Sequence, residues 1–297
     1  MNRHPRAWSA GCAAFATSLG FHGATLAEQF LNFGQMGAPG GVAFESFPTA
    51  TRSGAETALQ SNNILTYFSK TGFTGTRRDQ LQFWVGATAG RSKAREGVGA
   101  VGSSWGISGP NIGAAYYYNI VQPTVCAGCE GYAIYTLAPI ASLTLPTGSD
   151  DTTGFRAGSN SHSVYLGLSH FIKIGRWSLS ANPLSLFYGG PSRTPTEIAP
   201  GRRARLRGGL SYTVADVAIG YDVTPDLAIG IRHALQRNNQ ADSSFARSWR
   251  GQIGPAVAYT GFARHGLYLY ANLNLDYRRS DRLQRATGLS LVVIKYL

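Results

Sequence analysis

Gly266–Arg278 reads GLYLYANLNLDYR, with Leu267, Leu269, Ala271, Leu273 and Leu275 on one parity. Tyr268, Tyr270, Asn272, Asn274, Asp276 and Arg278 fall on the other. Successive side chains of a β-strand point to opposite faces, so the segment carries one apolar and one polar face. A half-buried strand of a soluble protein alternates over roughly four to eight residues. This alternation runs through at least twelve, and about 9–11 tilted residues carry a strand across a bilayer.

The same pattern recurs along the chain. In 80–90, Leu81, Phe83, Val85, Ala87 and Ala89 oppose Gln80, Gln82, Trp84, Gly86 and Thr88. In 226–237, Leu227, Ile229, Ile231 and Leu235 oppose Ala228, Gly230, Arg232 and Gln236. Twelve strands are expected, at 42–50, 62–73, 80–90, 107–120, 132–146, 162–174, 177–189, 208–222, 226–237, 249–261, 266–278 and 286–297. Segment 42–50 alternates poorly, and 208–222 is expected to change parity partway. Three connections are tight: 175–176, 223–225 and 262–265. Those expected at the opposite end are longer: 51–61, 91–106, 147–161, 190–207, 238–248 and 279–285. Short turns at one end and long polar loops at the other are the mark of an outer-membrane barrel. A β-sandwich has no reason to sort its connections. The expected fold is all-β: a transmembrane antiparallel barrel of about twelve strands, with short periplasmic turns and long extracellular loops. Tyr116–Tyr118, Trp177, Tyr188, Tyr221, Tyr277 and Tyr296 stand at strand ends, where interfacial girdles form.

Composition agrees without deciding. Charged residues make up 14% of the chain, against roughly 25% in soluble proteins. After residue 27 there is no apolar run of 18 residues, so no membrane helix follows. Residues 1–27 run from Arg3, His4 and Arg6 through an apolar stretch to Ala24-Thr25-Leu26-Ala27, the order of a secretory signal. Residues 28–41 form a periplasmic N-terminal segment or a lumen plug, and 42–297 the barrel. The formal charge is +12; without Arg3 and Arg6, 25 basic residues face 15 acidic ones, or +10. The arginines are scattered in loops with no nucleic-acid motif beside them, so an anionic membrane surface is the better partner.

Gly37-Ala38-Pro39-Gly40-Gly41, Gly109-Pro110-Asn111-Ile112-Gly113 and the run from Ala138 to Ser149 (APIASLTLPTGS) carry a resemblance. The chain resembles the outer-membrane transporter family named after the meta-cleavage pathway of phenol degradation. The likeness covers most of the mature chain in strand order. It implies an outer-membrane barrel associated with uptake of small, often aromatic or hydrophobic, compounds, and it brings no catalytic residues. The end departs from outer-membrane custom: the chain closes on Tyr296-Leu297 where such barrels commonly finish on an aromatic residue.

Several residues invite chemistry. Cys126 and Cys129 remain after signal removal, and in an oxidising periplasm a structural disulfide pinning their connection is expected. A zinc site would need further ligands, and no second such pair exists. His162 beside Ser161 and Ser163 sets a base next to a nucleophile, but nothing in the sequence supplies the third, orienting group. His170 and His233 fall on the outward parity. No cofactor, metal or catalytic residue is expected. The polar parity gives the lumen-lining candidates Gln80, Gln82, Arg232, Gln236, Gln252, Tyr268, Tyr270, Asn272, Asn274, Asp276 and Arg278, with Asn111 and Lys173 beside them. Arg202, Arg203, Arg205, Arg207, Arg279, Arg282 and Arg285 lie on the long-loop side. They are solvated loop residues, grips on lipid phosphate or steering charges for anionic solutes.

Twelve strands lie between eight, which side chains fill, and sixteen, which open an aqueous channel. The expected function is passive uptake of small, aromatic or hydrophobic compounds through an outer-membrane channel. The expected partners are outer-membrane lipid, a small solute and the barrel assembly machinery, with no nucleic acid. The competing readings are a barrel enzyme acting on lipid and a structural or adhesive barrel.

Overall fold

The computed structural model describes residues 40–53, 56–75, 78–96, 100–107, 109–125, 132–146, 162–191, 196–199, 202–204, 209–238, 248–280 and 285–297. Among them one sheet of thirteen strands closes on itself. The strands are β1 (Val42–Ser53), β2 (Glu56–Phe68), β3 (Asp79–Glu96), β4 (Ala100–Ile107), β5 (Asn111–Val125), β6 (Tyr132–Thr144), β7 (Ser163–Gly175) and β8 (Trp177–Gly189). After a small separate hairpin, β9 (Thr196–Ala199) and β10 (Arg202–Ala204), come β11 (Gly209–Thr224), β12 (Leu227–Asn238), β13 (Ser248–Tyr259), β14 (Leu267–Arg279) and β15 (Ala286–Tyr296). Each strand pairs antiparallel with its neighbours, and β1 pairs with both β2 and β15. Closure leaves the sheet without the edge that lipid would penalise.

Thirteen strands make twelve staves, because β4 and β5 share one. The long β3 pairs its first half with β5 and its second half with β4. The break falls at Gly109-Pro110. Pro110 has no N–H to give the carbonyl of Leu145 opposite it, while the Leu145 N–H still donates to the Pro110 carbonyl at 2.9 Å. The freed Leu145 oxygen sits 1.7 Å from where a Cβ on residue 109 would stand, so only glycine fits there.

The expected strands all exist, and several boundaries move. The expected loops 51–61 and 91–106 are mostly strand: β1 and β2 run to a register pair at Ser53–Glu56, and β3 and β4 to Glu96–Ala100. The hairpins project instead of looping. Polar residues such as Thr51, Arg52, Thr57, Arg91 and Lys93 hid this, because above the lipid neither face of a strand has to be apolar. The expected strand 62–73 ends at Phe68, and 107–120 becomes the end of β4 plus β5 to Val125. In β11 the expected parity change is a bulge between Val214 and Val217.

Burial alternates as a barrel requires. On β1, Ala43, Glu45 and Phe47 are buried and Phe44 is exposed; on β15, Ala286, Gly288 and Ser290 are buried between exposed neighbours. The exposed parity is Leu, Ile, Val and Phe on almost every stave. Both chain ends of the barrel lie together, the Leu297 N–H donating to the Val42 carbonyl. Aromatic pairs mark this end: Trp177–Tyr221, Tyr259–Phe262 and Tyr268–Tyr296, with ring centroids 5.0–5.6 Å apart. It is the end of the tight turns Arg176 and Pro225-Asp226, hence the periplasmic end.

Candidate functional site: the lumen

The described ion pairs of the lumen gather on one half of the wall, while the inward parity of β1–β5 mixes Phe47, Ile64, Phe68, Trp84 and Tyr117 with the neutral amides Asn62, Gln80, Gln82 and Asn119. Three ion pairs climb the β7–β14 half. Near the periplasmic mouth Lys173 of β7 meets Asp222 of β11. At mid-height Arg232 of β12 grips Asp216 of β11 with two bonds, Nε to Oδ1 at 3.1 Å and Nη2 to Oδ2 at 3.0 Å. Near the outer mouth Arg250 of β13 lies 3.2 Å from Asp276 of β14, whose carboxylate also accepts from Gln252 Nε2 and the Ala286 N–H. Asn182 on β8 stands in register with Asp216 and is buried with its Oδ1 unpartnered. Bidentate and shared bonds of this kind hold charges where water is scarce.

Apolar side chains complete the ring. Phe47, Ile64, Ala218, Ala228, Ala256, Ala258, Tyr270 and Val292 form one buried cluster on β1, β2 and β11–β15. Ala115, Tyr117, Ala138, Ile140 and Tyr165 form a second on β5–β7. Trp84 of β3 packs against both. Its ring lies over Gly113, where a Cβ would meet Cζ2 at 2.1 Å, and its Nε1 donates to Asn111 Oδ1 at 2.9 Å. Asn111 in turn donates to Thr144 Oγ1. Inward residues this well covered belong to a filled lumen, not to a wide aqueous bore.

Glu45 differs from the other lumen charges described here. It is buried beside Ile64, its register partner, with the Thr66 hydroxyl as its polar neighbour and, among the described residues, no cation to pair with it. A buried carboxylate without a cation pays the desolvation of its charge, which a neutral amide of the same shape avoids. Replacing Glu45 by Gln is expected to raise the urea midpoint of the refolded barrel, by about 1 kcal/mol in stability. An unchanged or lower midpoint would mean that the carboxyl is matched in the folded barrel.

The sequence profile of the family described as "Putative MetA-pathway of phenol degradation" matches residues 43–291, the barrel almost entire. The chain belongs to this family. No curated protein matches it. Among solved structures, an outer membrane channel from Pseudomonas putida F1 is similar at a TM-score of 0.66 and 17% identity, over 88% of this chain and 96% of that one. The transport unit of the autotransporter AIDA-I from Escherichia coli is similar at 0.54 and 11%, over 98% and 99%. At such identities the likeness is one of fold, and it places this family member among bacterial outer-membrane barrels. The exposed Leu, Ile and Val parity around a closed wall has no other solvent than lipid.

Within this family member, Gln80, Gln82, Arg232, Tyr270, Asn272 and Asp276 are buried on the inward parity, and Gln236, Gln252, Tyr268 and Asn274 are half-buried on it. Asn111 and Lys173 face inward too. Arg278 does not. A bulge between Gly251 and Gln252 sets Arg278 opposite Gly251, and its guanidinium rests over the Trp249 ring at 5.3 Å. Gly251 faces outward under Tyr277, so Arg278 is an outer-surface residue. Simple parity counting fails after a bulge. Asp216, Asp222 and Glu45 were missed because 208–222 shifts parity and 42–50 shows none by eye. Arg279 and Arg285 are exposed at the outer end. Arg202 and Arg203 belong to β10 by backbone, whereas Cys126, Cys129, Arg205, Arg207, Arg282 and residues 1–39 lie outside the described residues. His162 and Ser163 split across the wall: Ser163 is buried inward, while His162 is exposed near Tyr188. That separates His162 from Ser163, and Ser161 lies outside the described residues. His170 and His233 face outward, bonded to Tyr135 and Tyr277 at 2.9 and 2.8 Å.

Proposed function

We propose that this barrel is an outer-membrane channel for passive uptake of small compounds that carry an aromatic or apolar body and a polar group. The observation behind this reading is the two-sided lumen. A ladder of ion pairs on β7–β14 stands across from Phe47, Ile64, Phe68, Trp84 and Tyr117 on β1–β5, which lie among the neutral amides Asn62, Gln80, Gln82 and Asn119. An amphipathic solute leaves both walls satisfied, whereas a sugar leaves the aromatic wall wet and an alkane leaves the ladder unused. The family's association with phenol degradation supports the aromatic part of this reading, and the fold shared with an outer membrane channel from Pseudomonas putida F1 supports the channel.

The test is liposome swelling with phenol, benzoate, glucose and glycine at equal osmolarity. The aromatic solutes are expected to enter faster than glucose or glycine. Trp84→Ala, which removes the side chain joining the two apolar clusters, is expected to increase single-channel conductance. Equal swelling with all four solutes, or none with any, would overturn the reading.

A further inference from the structure

At the outer end of β12–β14, on the lipid side, four long side chains form a patch. Arg237 of β12 is in register with Trp249 of β13. The Arg278 guanidinium lies over that Trp249 ring at 5.3 Å, so two arginines flank one indole. Tyr277 lies over Gly251 and bonds His233 at 2.8 Å. Arg237, Tyr277 and Arg278 are exposed. Directly below, towards the middle of the bilayer, the same face presents Ile231 at 58%, Ile253 at 41% and Leu275 at 36% exposure. The carboxylate of Asp276, two residues before Arg278, points inward to Gln252 and Arg250 and away from this patch.

We infer that this patch binds a phosphorylated glycolipid of the outer leaflet. The guanidiniums take the phosphate, and Trp249 and Tyr277 take the boundary between sugar and acyl chain. The charge fits, because planar guanidiniums bind phosphate oxygens in pairs. The depth fits as well: amphipathic rings settle at the headgroup level while the aliphatic residues below meet acyl chains. Arg278 was aimed outward by the β13–β14 bulge, and bulges re-aim side chains at functional positions. The His233–Tyr277 bond holds the phenol ring upright beside the site. A free anion would be held by the arginines alone, so the apolar shelf is what commits the patch to a lipid.

The test uses the full chain refolded in detergent and titrated with bisphosphorylated lipid A, monitored by native mass spectrometry. Arg237→Ala/Arg278→Ala is expected to weaken binding on the order of tenfold or more, the loss of two charge-assisted contacts. Lys70→Ala/Arg264→Ala, which removes the same charge at the periplasmic end, is expected to bind like the wild type. Trp249→Ala is expected to weaken binding of lipid A without changing that of inorganic phosphate. Heat-modifiable migration in gels checks that each variant is folded; should the double alanine variant fail to fold, Arg237→Gln/Arg278→Gln replaces it. Three results would overturn the inference: dephosphorylated lipid A binding as tightly as the bisphosphorylated form, equal losses in the two double variants, or displacement of lipid A by inorganic phosphate at similar concentration.

Discussion

Replacing Arg232 by Met is expected to destabilise the refolded barrel by about 3–5 kcal/mol, the cost of leaving one member of a buried ion pair alone. Arg232 and Asp216 are both almost fully buried at mid-height and share two bonds at 3.0–3.1 Å. Without the guanidinium, the Asp216 carboxylate keeps no charged partner in a region packed with Ala218, Ala228 and Ala234. Adding Asp216→Leu to the variant is expected to recover most of the loss, because an apolar replacement of the whole pair removes the desolvation penalty. Urea titration of the three proteins in vesicles makes the measurement. The size of the first loss also reports on the lumen itself. In a water-filled bore the orphaned carboxylate would be hydrated and the loss would fall below about 1 kcal/mol, as for surface pairs. Such a result would refute the filled lumen, and with it the selectivity argued from its two walls.

Much of this is legible in the sequence, for a physical reason. Lipid outside and polar groups inside force a period of two, so β7, β12 and β14 declared themselves through Leu, Ile and Val alternating with Ser, Gly, Asn and Arg. The periodicity fails wherever that pressure is absent. The upper halves of β1 to β4 rise past the lipid, and their polar sequence reads as loop. On β1, Phe47 points inward beside Glu45 and breaks the inside-polar rule, since a filled lumen accepts aromatic rings as a core does. At Arg278 and in β11 a single extra residue inverts the parity, and no one-letter string marks a bulge. The ion pairs were invisible for a different reason: Lys173 and Asp222 stand 49 positions apart in sequence, and only the stave order brings them together. The outward Arg237–Trp249–Arg278 patch needs the register of three strands at once.

Gly254→Val is expected to abolish assembly of the barrel, with little or no heat-modifiable protein reaching the outer membrane. An ideal Cβ on Gly254 would stand 1.6 Å from the Leu273 carbonyl oxygen and 2.7 Å from its carbon. Neither is a flexible side-chain end that can swing aside. The cause is the next residue. Pro255 has no N–H, and the β13–β14 ladder has no register pairs between Ile253–Leu275 and Ala256–Asn272, so the Leu273 carbonyl leans over Gly254. Gly109-Pro110 repeats the device, with the Leu145 carbonyl 1.7 Å from the missing Cβ. Both Gly-Pro pairs draw a neighbouring strand close at the point where the ladder is interrupted. A side chain at either glycine must push two staves apart. In a closed barrel that displacement cannot be dissipated at an edge, so its cost exceeds about 4 kcal/mol, the range reserved for severe single substitutions. Gly288→Ala is the matched control: its new Cβ would meet nothing closer than Thr51 Oγ1 at 3.6 Å, and its effect is expected to stay within about 1 kcal/mol. Outer-membrane fractions carrying Gly254→Val at wild-type levels would show that the two staves separate freely, and that the wall is held by its ladder alone and not by the glycine contacts at its breaks.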